Sequence, residues 1–303
     1  MDEVDCLSAR LELPCGLVLP NRLVKAAMEP CLAKSRKPSE NHFNLYSEWS
    51  DGGFGLIITE NIQVAEHYIG SPHDIVMLPS DLDRVPESWT TWAKSCRTPT
   101  LVQLCHAGLQ SSRGCGRYVW EPSISPTSMR ISMGDSLLAR ALSILLFNTS
   151  RMMDKNDIKR VVQQFADGAL LAHRSGFLGV QLHCSHGYLL AQFLSPRTNK
   201  RSDEYGNSSF NRLRLLFEII DAIRASLPAS FCLSVKLNSA DFVTGGLTEA
   251  DALQNVEWIV QHGGVDLIEI SGGTYENSLA MGKCHQTRGP DPKMMMGIEK
   301  DLV

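Results

Sequence analysis

The hexapeptide His183-Cys184-Ser185-His186-Gly187-Tyr188 follows directly on an apolar run, FLGVQLH, that spans Phe177 to His183. Three side chains that hydrogen-bond or transfer protons therefore crowd one strand end. Two imidazoles can together polarise a carbonyl or nitro oxygen, and a tyrosine hydroxyl, whose pKa is near ~10, can give a proton to carbon late in a reaction. That chemistry belongs to a small-molecule site. Two other readings use the same residues. One imidazole could pack while the other is solvated. A metal could be held by His183, Cys184 and His186, which would need a helix or tight turn and a further acidic or thiol partner.

Chemistry at a strand end requires a scaffold, and six short apolar runs have strand length: Arg22 to Met28, Phe54 to Thr59, Pro99 to Cys105, Phe177 to His183, Phe231 to Leu237 and Val265 to Ser271. Between them Asn156 to Ser175, Ser208 to Leu227 and Thr248 to His262 carry apolar residues at spacings of three and four, as helices do. Thr248 stands where an N-cap would sit, and Gly263-Gly264 where a helix stops. Strands alternating with helices imply βαβ units and a parallel sheet, and strands this apolar are buried on both faces.

A doubly wound nucleotide fold usually carries G-x-G-x-x-G after its first strand, and none occurs here. Polar residues instead mark nearly every strand end: Glu29, Glu60 with Asn61, His106, His183 with His186, Asn238 with Ser239, and Ser271. Strand ends that converge on one mouth are what a barrel active site needs. The expected fold is α/β, a TIM (β/α)8-type barrel that is incomplete, with about six of eight βα units, read as one domain over residues 1–303. The segment LPCGLVLPN, with Cys15-Gly16 as its turn, could form a hairpin plugging the bottom of the barrel. Gly108 to Met153, rich in Gly, Pro and Ser, suits an excursion or lid after the third strand. Met152-Met153 and Met294 to Met296 are read as packing residues.

Composition narrows the function classes. The formal net charge is −4 and no Lys/Arg run exceeds a pair, which argues against nucleic acid as a partner. The start MDEVDCLSARLEL is acidic where a signal peptide needs a basic end, and no stretch of 18 apolar residues occurs. No membrane association and a cytoplasmic location are expected. Nine cysteines with no C-x-x-C pair fit reduced thiols better than a disulfide framework or a structural zinc site.

The run HCSHGYLLAQFLSPRTNKRSDEYGNSSFNRLRLLFEII resembles the signature of the old yellow enzyme family of FMN-dependent NAD(P)H oxidoreductases. In that family His-x-x-His/Asn-Gly-Tyr-Leu precedes Gln-Phe-Leu-Ser-Pro, Asn-x-Arg, Asp-x-Tyr-Gly and Asn-Arg. Asn21 to Val24, Gly55 to Glu60, Gln103 to Gly108 and Ser234 to Leu237 agree as well, so the match runs in order from about Leu13 to Gly273. The resemblance implies FMN as cofactor, NADH or NADPH as reductant and an enone-like small molecule as substrate, with a place in secondary metabolism and a homo-oligomer both compatible. It implies that His183 and His186 bind the carbonyl and that Tyr188 donates the proton. Gln103 would pair with the flavin pyrimidine edge. Ala27, Met28 and Glu29 would line the isoalloxazine, with Asn61 a further contact. Lys236 would take the place of the family's cation beside flavin N1 and O2, where it would stabilise the anionic reduced flavin. The alternation of Lys236 between Val235 and Leu237 itself points its side chain into the barrel.

Two departures from the family stand out. Glu29 replaces the Thr or Cys that usually hydrogen-bonds the flavin, and a carboxylate there opposes the charge of reduced flavin unless it is protonated or turned away. After Ile270-Ser271-Gly272-Gly273 only Thr274 to Val303 follow, without the seventh and eighth strands on which the family closes its barrel and grips the FMN phosphate. Strands one and six are then expected to be unpaired edges. A truncated product, a barrel completed by another subunit, and a specialised relative doing flavin-free acid-base isomerisation or cyclisation all fit this pattern.

Overall fold

The computed structural model of the chain describes residues 3–133, 136–274 and 276. Among these, six parallel strands form one sheet: β1 (Val24–Lys25), β2 (Leu56–Gln63), β3 (Thr100–Cys105), β4 (Gly179–Cys184), β5 (Cys232–Asn238) and β6 (Leu267–Ser271). Their spatial order is their chain order, β1 to β6, with each strand hydrogen-bonded to the next in parallel register. This is the topology of successive βα units in an α/β barrel, six strands of which are present among the described residues. Every expected strand is found.

Packing follows from alternation. Val102, Leu104, Val180, Leu182, Val235 and Leu237 face outward and join one buried apolar cluster with Phe165, Ile219 and Ile223 of the covering helices. The intervening residues Gln103, Gln181, His183, Ser234 and Lys236 are buried polar groups on the other face. The four central strands β2 to β5 therefore bury both faces, as their continuous apolarity requires, whereas the outer strands β1 and β6 are only partly covered.

The helices that cover the strands are α1 (Glu40–Asp51), α2 (Glu87–Ser95), α4 (Lys155–Ser175), α6 (Arg214–Ser226) and α7 (Glu249–His262). Two more, α3 (Leu137–Leu146) and α5 (Leu189–Leu194), lie in the loops after β3 and β4. Thr248 does cap α7, its side chain accepting from the Asp251 N–H, and Gly263 ends it at φ 81°. The expected helix from Ser208 to Leu227 is divided at Leu213, whose N–H bonds back three residues to Phe210 rather than four.

The hairpin is present and plugs the barrel bottom. Leu11–Glu12 pair antiparallel with Val18–Leu19 around a turn at Gly16, φ 83°. Leu13 and Leu19 then pack on Leu56, Leu101 and Cys232 at the strand starts. The excursion Gly108 to Met153 contains the helix α3, capped by the Ser136 side chain on the Ala139 N–H, and a two-residue parallel ladder between Ile124–Ser125 and Arg151–Met152. Met153 is buried in the core as expected, whereas Met152 is exposed because it faces outward from that ladder. Met294 to Met296 lie outside the described residues. Among the described residues no helix is long and apolar enough to cross a membrane.

Candidate active site at the mouth of the barrel

β4 ends at Cys184, and the chain then turns through His186 at φ 58° and Gly187 at φ 76°. A left-handed histidine costs on the order of 1 kcal/mol, so its surroundings must hold it. They do: the His186 N–H donates to Asn238 Oδ1 at 3.1 Å, Gln110 Nε2 donates to the His186 carbonyl at 2.6 Å, and His186 Nε2 lies 2.7 Å from Ser271 Oγ. The ends of β4, β5 and β6 are thereby tied together at one mouth. The turn also brings the ring of His183 to 5.2 Å from that of His186 and 4.8 Å from that of Tyr188, centroid to centroid. Tyr188 is the N-cap of α5, which fixes its backbone.

Burial pushes the pKa of His183 well below the ordinary imidazole value, and the neighbouring His186 and Lys236 add to the effect. Burial and Lys236 likewise lower His186 to about 4, with Glu269 opposing. Both rings are neutral at physiological pH and present one N–H each. Ser185 Oγ lies 3.1 Å from His183 Nδ1; with the hydroxyl donating, Nε2 carries the proton and becomes the donor toward the mouth. Cys184 points the opposite way, into the outer apolar core, so it does not converge with the two histidines as the metal reading required.

Beside Tyr188 opens a cavity of about 300 Å³ whose walls include Glu29, Asn61, Asp74, Gln110 and Phe147. Asn61 reaches it because β2 bulges: Ile58 pairs with Leu101 but Asn61 with Gln103, so Thr59 and Glu60 are accommodated without partners in the ladder. Glu29 is exposed toward this space, and its pKa is pushed up to about 7, first by desolvation and then by the charge of Asp74 and a hydrogen bond with it. Asp74 is itself held by the Gly70 N–H and Ser71 Oγ, both at 2.8 Å.

Deeper in the barrel, Gln103 Nε2 donates to Gln181 Oε1 at 2.7 Å, Gln181 Nε2 donates to Glu269 Oε2 at 2.9 Å, and Lys236 Nζ lies 2.7 Å from Glu269 Oε1. An amide that donates and accepts, together with an ammonium, matches the edge of a flavin pyrimidine, which offers an N–H between carbonyl oxygens. Gln63, on the same side of β2 as Asn61, has an amide buried with neither end hydrogen-bonded among the described residues, as a site built for a polar ligand leaves it. The residues present fit the group.

The nominated residues divide in their placement. His183, His186 and Tyr188 form one cluster, Glu29 and Asn61 share the cavity wall with Tyr188, and Gln103 and Lys236 belong to the interior network. Ala27, Met28 and Glu29 are not the strand residues they were expected to be; among the described residues β1 has one ladder neighbour, β2, and its pairing ends at Lys25. Met28 is exposed, and neither it nor Ala27 lines the cavity. His106 is a buried ring stacked 5.3 Å from Tyr68. Sequence reading missed Gln181, Glu269, Asp74 and Gln110. The first two were within reach, since each lies two residues before a nominated strand-end group and so shares its face.

Residues 16–278 match the model of the NADH:flavin oxidoreductase / NADH oxidase family. The chain belongs to that family. It is 44% identical over 279 residues to the NADH-dependent flavin oxidoreductase iliE of Hypocrea jecorina (strain QM6a), covering 90% of this chain and 69% of the relative. It is 42% identical over 297 residues to the enzyme of the same name from Neonectria sp. (strain DH2), covering 96% of this chain and 37% of that one. The chain thus spans between about one third and two thirds of the length of these relatives. The structure superposes on the old yellow enzyme homologue of Zymomonas mobilis with a TM-score of 0.76 at 19% identity, over 96% of this chain and 79% of the other. The frame is an old yellow enzyme-type barrel, and FMN with NADH or NADPH are the cofactors of the family.

Proposed function

We propose that the chain is an FMN-dependent NAD(P)H oxidoreductase that reduces carbonyl-conjugated alkenes. The observation that carries this reading is the convergence of two neutral imidazoles and a tyrosine hydroxyl on one strand end beside a cavity. Gln103 and Lys236 would hold the pyrimidine edge of FMN, with Asn61 and Glu29 at the mouth. Bound FMN supplies the hydride chemistry. The N–H groups of His183 and His186 hold the substrate carbonyl oxygen and stabilise the negative charge that grows on it, and a neutral donor does this without a counter-ion. Tyr188, adjacent to His183, gives its hydroxyl proton to the α-carbon.

Visible absorbance of the purified chain decides the first part, because bound flavin is yellow. Colourless protein that also fails to take up added FMN would sink the redox reading and leave flavin-free acid-base chemistry in the same pocket. With flavin bound, Tyr188→Phe is expected to slow alkene reduction by about 10²-fold while leaving flavin reduction by NAD(P)H near wild type. Equal slowing of both half-reactions removes Tyr188 from the proton-donor role.

A further inference from the structure

The cation on β5 does not stand alone. Lys236 and Glu269 are register partners across β5 and β6, so their side chains leave the sheet side by side on the interior face. The Lys236 side chain is 7% exposed and its Nζ lies 2.7 Å from Glu269 Oε1. The second oxygen of the same carboxylate accepts from Gln181 Nε2, and Gln181 in turn faces Gln103. One acidic side chain thus touches the cation and, through a single amide, reaches the glutamine nominated for the flavin.

We propose that Glu269 is a positioning residue that acts through Lys236 and Gln181 to lower the reduction potential of the bound flavin and to set the orientation of the Gln103 amide. The inference rests on the flavin reading above. Two physical steps lead to it. First, a carboxylate in contact with an ammonium leaves a dipole where there was a charge, and a dipole stabilises an anion at the pyrimidine edge far less than a free cation does. Second, an ionised carboxylate only accepts. Gln181 must therefore turn its NH₂ to Glu269 and Ser234, its oxygen then faces Gln103, and Gln103 must answer with its own NH₂. The Gln103 oxygen is what remains for a ligand, and an oxygen suits the single N–H of a flavin pyrimidine. In this chain Lys236 is held for its position while part of its charge is offset, and Glu269 reaches further to His186, whose lowered basicity it partly restores.

Spectroelectrochemical titration of the FMN-loaded protein tests this. Glu269→Gln keeps the shape of the side chain and removes its charge, so reduced flavin is expected to gain about tenfold in binding relative to oxidised flavin, an upward shift of about 30 mV for a two-electron couple. Lys236→Met is expected to shift the potential downward. If Glu269→Gln does not fold, Glu269→Ser removes the same charge and is expected to move the potential in the same direction. A flavin-loaded Glu269→Gln protein, or its serine counterpart, with a potential equal to or below wild type overturns the inference and leaves the flavin reading standing. A wild-type chain that holds no FMN instead fails the flavin reading, and the inference falls with it.

Discussion

Replacing Glu29 by Gln is expected to stabilise the protein above neutral pH and to do nothing at mildly acidic pH. Burial and the adjacent Asp74 raise Glu29 from 4.5 to about 7, so the folded state prefers the carboxyl protonated. A raised pKa contributes stability that is fully present below the unfolded value and is lost as pH rises through the folded one. Above pH 7 wild type must carry an ionised Glu29 facing Asp74, whereas glutamine presents the neutral form at every pH. At about 1.4 kcal/mol per unit the shift has a ceiling of about 3 kcal/mol, but Glu29 is exposed on its cavity side and solvent screening reduces this to about 1 kcal/mol. That corresponds to about 2 °C in melting temperature for a chain of this size. Thermal unfolding of both proteins at about pH 4 and at about pH 8.5 checks it: near-equal melting at the first, a more stable variant at the second. A stabilisation of equal size at both pH values would refute the argument, because it would show that glutamine acts by packing and not by charge.

Two other positions give tests away from the chemistry. Asp157 is buried at the start of α4 and held low, to about 2: burial opposes its charge, but hydrogen bonds from Arg151, the Asp154 N–H and Arg160 outweigh that. Its contribution is full above about pH 3.8 and lost as pH falls through about 2. Asp157→Asn is therefore expected to cost about 1.5 kcal/mol near neutrality, with the difference vanishing in acid, as read from urea midpoints across pH. At Gly179, the first residue of β4, a Cβ would lie 2.2 Å from the Cys232 carbonyl oxygen and 2.6 Å from Cys232 Cβ. Gly179→Ala must push β4 away from β5 and is expected to cost about 3 kcal/mol or more by the same assay; a loss under about 1 kcal/mol would mean the strands separate easily there.

The sheet was legible because burial on both faces of its central strands leaves an unbroken apolar signal, and all six strands, the plug hairpin and α7 with its Thr248 cap stand where the sequence put them. Strand ends were less legible. The sequence stops the second strand at Thr59, but the bulge there lets pairing resume at Asn61 and run to Gln63, and no local signal marks a bulge. The opposite error arose at Ala27 to Glu29, where an apolar pattern continues past the last residue that has a ladder partner. The helix α3 was hidden by reading its Gly-, Pro- and Ser-rich surroundings as one loop, although Ser136 before LLARALSILL is a capped helical start. At the site, the histidines and tyrosine were visible as a motif, whereas Gln181, Glu269 and Asp74 matter only through partners distant in sequence.

Two of the carboxylates near the position where the family is expected to place an electron-rich flavin, Glu29 and Glu269, are electrostatically quieted by different means. Glu29 is held protonated up to about pH 7 by desolvation and Asp74, while Glu269 is paired with Lys236 and accepts from Gln181. The first device varies with pH through the raised pKa of Glu29, and the second is probed by substitution at Glu269, so the two separate experimentally. As pH rises past 7, ionised Glu29 adds a negative charge to the cavity wall. A flavin potential that falls more steeply with pH in wild type than in Glu29→Gln across that interval would locate the effect in Glu29. The departure at residue 29 and the lysine at residue 236 are in this sense one electrostatic arrangement, in which each is modulated by a carboxylate that the motif alone does not reveal: Asp74 raises the pKa of Glu29, and Glu269 pairs with Lys236.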